Sequence, residues 1–121
     1  MPFNISKPIV GILGSRSITN LNISNFINPE HCAEIVCGGE SAIDTLAKQF
    51  AKSNKIEYIE FKPNYDLYDI DARLIRDKEI IEYVDAAIVF WDGQDRNIVE
   101  AISYADKIEC QYILHQIDDL D

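Results

Sequence analysis

Short apolar runs that alternate with helix-spaced stretches along the whole chain constrain its fold more than any other feature. The first run lies in "KPIVGILGSRS" (Lys7 to Ser17), which is β-branched and breaks at Gly14-Ser15-Arg16. "EIVC" runs straight into Gly38-Gly39, and "IEYIEF" (Ile56 to Phe61) alternates as a strand does. "AAIVFW", the most apolar run, ends at Trp91 and is closed by Asp92-Gly93, and "CQYILH" (Cys110 to His115) comes last. Between these runs, Ile43, Leu46, Ala47, Phe50 and Ala51 keep helical spacing over Ser41 to Ser53. Helical patterning returns over Arg73 to Val84, and again over Arg96 to Lys107 with Ile98, Ala101, Ile102 and Ala105 on one face.

Strand and helix alternating in this way predict a parallel sheet covered on both faces. Five strands joined by right-handed crossovers give an α/β, Rossmann-like three-layer sandwich with a mostly parallel five-stranded sheet. At 121 residues the chain fits one domain. Two stretches are poorly patterned. "ITNLNISNFINPEHC" is rich in Asn and predicts a short helix capped by Asn20 with Pro29 near its end, and "KPNYDLYDIDA" (Lys62 to Ala72) predicts a long aromatic and acidic loop. An acidic tail, "QIDDLD", ends the chain. Ligands of this architecture bind beyond the carboxyl ends of the strands, near the reversal of strand order. The rim there is expected to hold Gly14-Ser15-Arg16, Gly38-Gly39-Glu40-Ser41, Pro63 to Asp71 and Asp92-Gly93-Gln94-Asp95.

Charge narrows the partners. With 21 acidic against 11 basic residues the net charge is -10, which opposes nucleic acid or an anionic membrane, since both are bound by clustered Lys and Arg. A small anion held by local amides and one or two Arg remains open. No signal-like or membrane-length apolar segment is visible. Cys32, Cys37 and Cys110 form no CxxC pair and have no His at zinc spacing, so they read as buried hydrophobes in a cytosolic, reduced protein.

On the rim, Gly38 and Gly39 separate a strand from a helix. Bare backbone there suits amides and a helix N-terminus facing a phosphate, or equally a tight turn with Ser41 as N-cap. Arg16 suits a phosphate or carboxylate, or a surface ion pair with one of the many acids. Arg76 has Asp77 and Glu79 beside it, which suits a structural ion pair. Trp91 suits stacking on a base or capping the core, and Tyr65 and Tyr68 suit lining a pocket for a ring. Glu100 suits a general acid or base, or a solvated position. His31 and His115 have no visible partners. No Ser-His-Asp, Cys-His or metal set is present, and no cofactor is implied.

Four segments taken together, "VGILGSRS", "IVCGGESAID", "YDLYDIDARLIRDKEII" and "DAAIVFWDGQDRNIVEAI", resemble the small stand-alone SLOG proteins related to YspA and YpsA. That superfamily includes the LONELY GUY phosphoribohydrolases and the DNA-processing protein A fold. The resemblance covers nearly the whole chain. The family pattern GGxxGxD is matched by Gly38, Gly39 and Asp44, with Ala42 at its third glycine. The family's RN appears as Arg76-Asp77, its SxGT as Asp95-Arg96-Asn97-Ile98, and its loop Trp as Tyr65. Carboxylates at Asp77 and Asp95 oppose an anion, and Arg96 is placed either to compensate or to fill the anion site itself.

The resemblance implies binding of a nucleotide or nucleotide-derived small molecule through Gly14, Ser15, Arg16, Gly38, Gly39, Glu40, Ser41, Asp44, Tyr65, Arg76, Trp91, Asp92, Gly93 and Arg96. A LONELY GUY-like hydrolase is the enzymatic alternative. Arg76 is similar to that family's catalytic Arg, whereas Glu100 lies one place off the register of its Glu and the PGG motif is missing. A third reading is a degenerate member that works through protein contacts. A homodimer or higher homo-oligomer is expected, because apolar helix faces in so small a domain often pair across a two-fold axis.

Overall fold

The apolar runs form five strands in a computed structural model that describes residues 7–117: β1 (Ile9–Gly14), β2 (Glu34–Cys37), β3 (Glu57–Glu60), β4 (Ala86–Trp91) and β5 (Gln111–Gln116). The acidic tail after Ile117, and the residues before Lys7, lie outside the described residues. The strands pair in the order β3-β2-β1-β4-β5, and every pairing is parallel. The helices are α1 (Ala42–Ser53), α2 (Tyr65–Tyr68), α3 (Ala72–Tyr83) and α4 (Arg96–Lys107). The molecule is a Rossmann-like α/β three-layer sandwich, parallel throughout.

Two apolar layers hold it. On one face Ile43, Ala47, Phe50 and Ala51 of α1 pack with Ile18, Ile23 and Ile27 against Val10, Ile12, Ile35, Ile88 and Phe90 of the sheet. On the other, Ile80 and Ile81 of α3 and Ile98, Ala101 and Ala105 of α4 cover Leu13, Val36, Ala87 and Val89. β4 lies between β1 and β5 and is buried on both faces, which is why its sequence is apolar without alternation. β3 is an edge of only four residues, with Glu57 and Glu60 at its ends, a composition that discourages edge-to-edge pairing.

The first poorly patterned stretch departs from expectation. No Asn20-capped helix forms there; instead two 3-10 turns occur, Ile23–Asn25 capped by the Asn22 side chain and Pro29–His31 capped by Asn28, so Pro29 opens a turn rather than closing a helix. The expected long loop also contains structure, the single turn of α2 followed by a 3-10 turn over Asp69–Asp71.

The chain steps outward from β1 through β2 to β3, then crosses back to β4 and β5. The carboxyl ends of β1 and β4 are therefore neighbours at the reversal of strand order. Among the described residues no helix is long and apolar enough to cross a membrane.

Candidate functional site

The loops after β1 and β4 are tied together at the reversal. Ser15 is fully buried; its N–H donates to Phe90 O at 2.9 Å, and its Oγ accepts from the Asp92 N–H at 3.1 Å. Ser17 Oγ donates to Asp92 Oδ2 at 2.6 Å, while Asp92 Oδ1 accepts the N–H groups of Gln94 and Asp95, each at 2.8 Å. The Ser17 bond, helped by these amides, holds the Asp92 carboxyl below the usual range despite the opposing effect of burial. Trp91 is half-buried against the α3–α4 layer and its indole N–H donates to Asp95 O at 3.1 Å, so it anchors the loop. Gly93 completes this turn at φ +86.

The glycine loop after β2 is bound from inside the chain. Asp44 is buried and accepts three loop amides, from Gly38 at 3.2 Å and from Glu40 and Ser41 at 2.9 Å. The Ser41 hydroxyl accepts the Asp44 N–H at 3.2 Å, which completes a capping box at the start of α1. The close approach that Gly38 permits is made by Arg76, whose Nη1 donates to Gly38 O at 3.1 Å. Arg76 Nε also donates to Asp77 Oδ1 at 2.7 Å, and both side chains are buried. Burial pushes the Asp77 carboxyl up, against the pull of Arg76. Gly39 adopts φ +71, and a Cβ there would lie 2.8 Å from the Glu60 carboxylate carbon.

Above this frame lies an exposed polar cluster. Arg16 Nη2 donates to Glu40 Oε1 at 2.9 Å and to the Tyr65 hydroxyl at 3.0 Å, and Tyr65 donates to Glu40 Oε2 at 2.5 Å. Arg73 joins from the first turn of α3, with Nε 3.9 Å from Glu40 Oε1 and Nη2 3.6 Å from Asp95 Oδ2. Asp95 also caps α4, accepting the Asn97 N–H at 3.0 Å. Burial would raise the Glu40 carboxyl, but the bonds from Tyr65 and Arg16 outweigh it and hold it below the usual range. The same bond to Glu40 holds Arg16 more firmly protonated.

The rim therefore brings Gly14, Ser15, Arg16, Gly38, Gly39, Glu40, Ser41, Tyr65, Asp92 and Gly93 into two linked layers, with Asp44 and Arg76 beneath them. Arg96 opens α4 and Glu100 follows one turn later, both exposed. Arg73 escaped the sequence reading; the available signal was its place at the start of the long helix that follows the loop after β3, at the strand-end side of the sheet. Neither histidine joins the cluster: His115 stacks on Phe90 at 5.6 Å and meets Phe26 edge-on at 4.8 Å. All three cysteines are free thiols. Among the described residues no group of three or more His, Cys, Asp or Glu could hold a metal ion. Grooves of about 300 Å³, between residues 21–24 and α1, and about 420 Å³, by Lys7, Cys32 and Lys55, lie elsewhere.

No family model, curated protein or solved structure matches the chain.

Proposed function

We propose that the chain binds a nucleotide or nucleotide-derived small molecule at the strand-end rim, in a sensor or ligand-binding role of the SLOG type. The observation that carries this reading is the position of Arg16: it follows β1, one of the two strands between which strand order reverses, and its guanidinium lies 3.0 Å from the hydroxyl of Tyr65. Open α/β sheets take ligands at that point. A guanidinium forks onto phosphate oxygens, and the exposed rings of Tyr65 and Tyr68 offer faces for a base. Gly38 and Gly39 contribute shape, since the amides of Gly38, Glu40 and Ser41 already serve Asp44. The net charge of -10 supports a small ligand over nucleic acid, and the free thiols support a reducing, cytoplasmic setting. Arg76 is committed to Gly38 and Asp77 beneath the rim, which favours binding over LONELY GUY-like hydrolysis.

A second reading has its own observation. Leu67 and Ile70, beside Tyr65 and Tyr68, are 66% and 87% exposed, which favours a protein-contact role. Self-association as a homodimer belongs with it, supported by exposed Val99 on α4 and Leu114 on the edge strand β5.

Thermal-shift titration with AMP, ADP, ATP, ADP-ribose and ribose 5-phosphate, with Arg16→Ala alongside, separates the readings. A ligand at a hundred times its Kd adds about 2.7 kcal/mol to stability, so a melting shift lost in Arg16→Ala is expected. No shift with any compound sinks the nucleotide reading in favour of protein contacts.

A further inference from the structure

Glu40 is surrounded as a bound oxyanion would be. Arg16 and Tyr65 each donate to one of its oxygens, at 2.9 and 2.5 Å, and Arg73 Nε stands 3.9 Å from Oε1. These groups come from three separate places: the loop after β1, α2, and the first turn of α3. The Arg16 and Glu40 side chains are nevertheless 54% and 26% exposed, a range in which an ion pair adds little to folding stability. The contact is therefore easily opened.

We propose that Arg16, Arg73 and Tyr65 form an oxyanion site, filled by Glu40 in the unliganded protein, and that a terminal phosphate monoester of the ligand takes its place. The proposal rests on the rim being the ligand site. No loop has to refold for the exchange. The Glu40 backbone is fixed by its N–H to Asp44, as are those of Gly38 and Ser41, so only the Glu40 side chain rotates. Once it turns away, Arg16 is left without the Glu40 carboxylate while Arg73 retains Asp95, and the positive surplus suits one phosphate. Further phosphates would meet Asp95 and the ionised Asp92 on the β4 side, by like-charge repulsion. The site thus selects a monophosphate over a triphosphate.

Isothermal titration of the full chain tests this, using AMP, ATP and inorganic phosphate with wild type, Glu40→Gln and Arg73→Gln. Glu40→Gln keeps the side chain's size and removes the competing charge. Its affinity for AMP is expected to rise about fivefold, the scale of an exposed ion pair. Arg73→Gln should weaken AMP, and wild type should bind AMP more tightly than ATP. Circular dichroism melts of the variants exclude misfolding as the cause. If wild type binds AMP and Glu40→Gln binds it no better, the exchange is overturned and the nucleotide reading survives. If Glu40→Gln gains inorganic phosphate while no nucleotide binds either protein, the exchange stands and the nucleotide reading falls. Absence of anion binding by both proteins at millimolar concentration overturns both.

Discussion

A Cβ placed on Gly38 would lie 2.0 Å from Arg76 Nη1 and 2.4 Å from its Cζ. Arg76 cannot retreat without breaking its bonds to Gly38 O and Asp77, which would leave a buried carboxylate unpaired. Breaking one side of a buried pair costs about 3 kcal/mol or more. Gly38→Ala is expected to lose that amount in urea unfolding; a loss under about 1 kcal/mol would show that Arg76 is not locked there. Titration at Asp92 has a definite sign. Its carboxyl is held low in the fold, chiefly by Ser17, so it adds stability above about pH 4 that is lost on acidification through the folded value. Asp77 acts oppositely, because burial raises its carboxyl and penalises the ionised form, and acid relieves that penalty. Between about pH 5 and pH 3, Asp92→Asn should therefore lose less unfolding free energy than wild type; equal slopes would remove Asp92 from the acid response. At this scale the sequence placed Arg16 and Tyr65 on the rim and raised the Arg76–Asp77 pair as one option. It could not assign Arg73 and Arg76 to different tasks. They sit three residues apart on one helix, and which one points at the glycine loop depends on where α3 lies across the sheet.

Helices α1 and α4 end alike. Lys55 and Glu109 adopt φ 56 and 61, and the next residues close back by Ile56 N–H to Ala51 O and Cys110 N–H to Ala105 O, each at 2.8 Å. Glycine is the residue that takes this left-handed position without a Cβ penalty. Lys55→Gly and Glu109→Gly should each raise the unfolding free energy by about 0.5–1 kcal/mol, and the double variant should be additive because the sites end different helices. A fall in midpoint for either would mean that its side chain contributes more than the strain costs. Strands were legible as short apolar runs closed by turn residues, and the long helices because their apolar residues recur at a period of about 3.6. The 3-10 turns capped by Asn22 and Asn28, and the four residues of α2, carry no such period over so short a span. Side-chain caps set all three, from Asn22, Asn28 and Asn64, and Ile23 and Ile27 additionally tie the first stretch to the sheet.

Over the whole molecule, self-association sets apolar contact against charge. Val99 and Leu114 are exposed on the last helix and the edge strand, while each copy carries -10. Salt shortens the reach of that repulsion to about 10 Å at 0.1 M. Sedimentation equilibrium should therefore show the dimer fraction rising with ionic strength, and a monomer at every salt concentration would end the homodimer proposal. The sequence by itself determined the strands, the three long helices, their alternation and hence a parallel sheet with the strand-end loops gathered at one end, because periodicity and turn residues are local properties. Only the tertiary structure decided what occupies those loops. Asp44 takes the amides, Arg76 fills the space beside Gly38, and Glu40 sits between Arg16, Arg73 and Tyr65. Asp44 reaches its amides within six residues, as part of the α1 capping box. By contrast, Arg16 lies 24 residues from Glu40 and Arg76 lies 38 from Gly38, so these pairs meet only when β1, β2 and α3 are stacked and no local pattern encodes them.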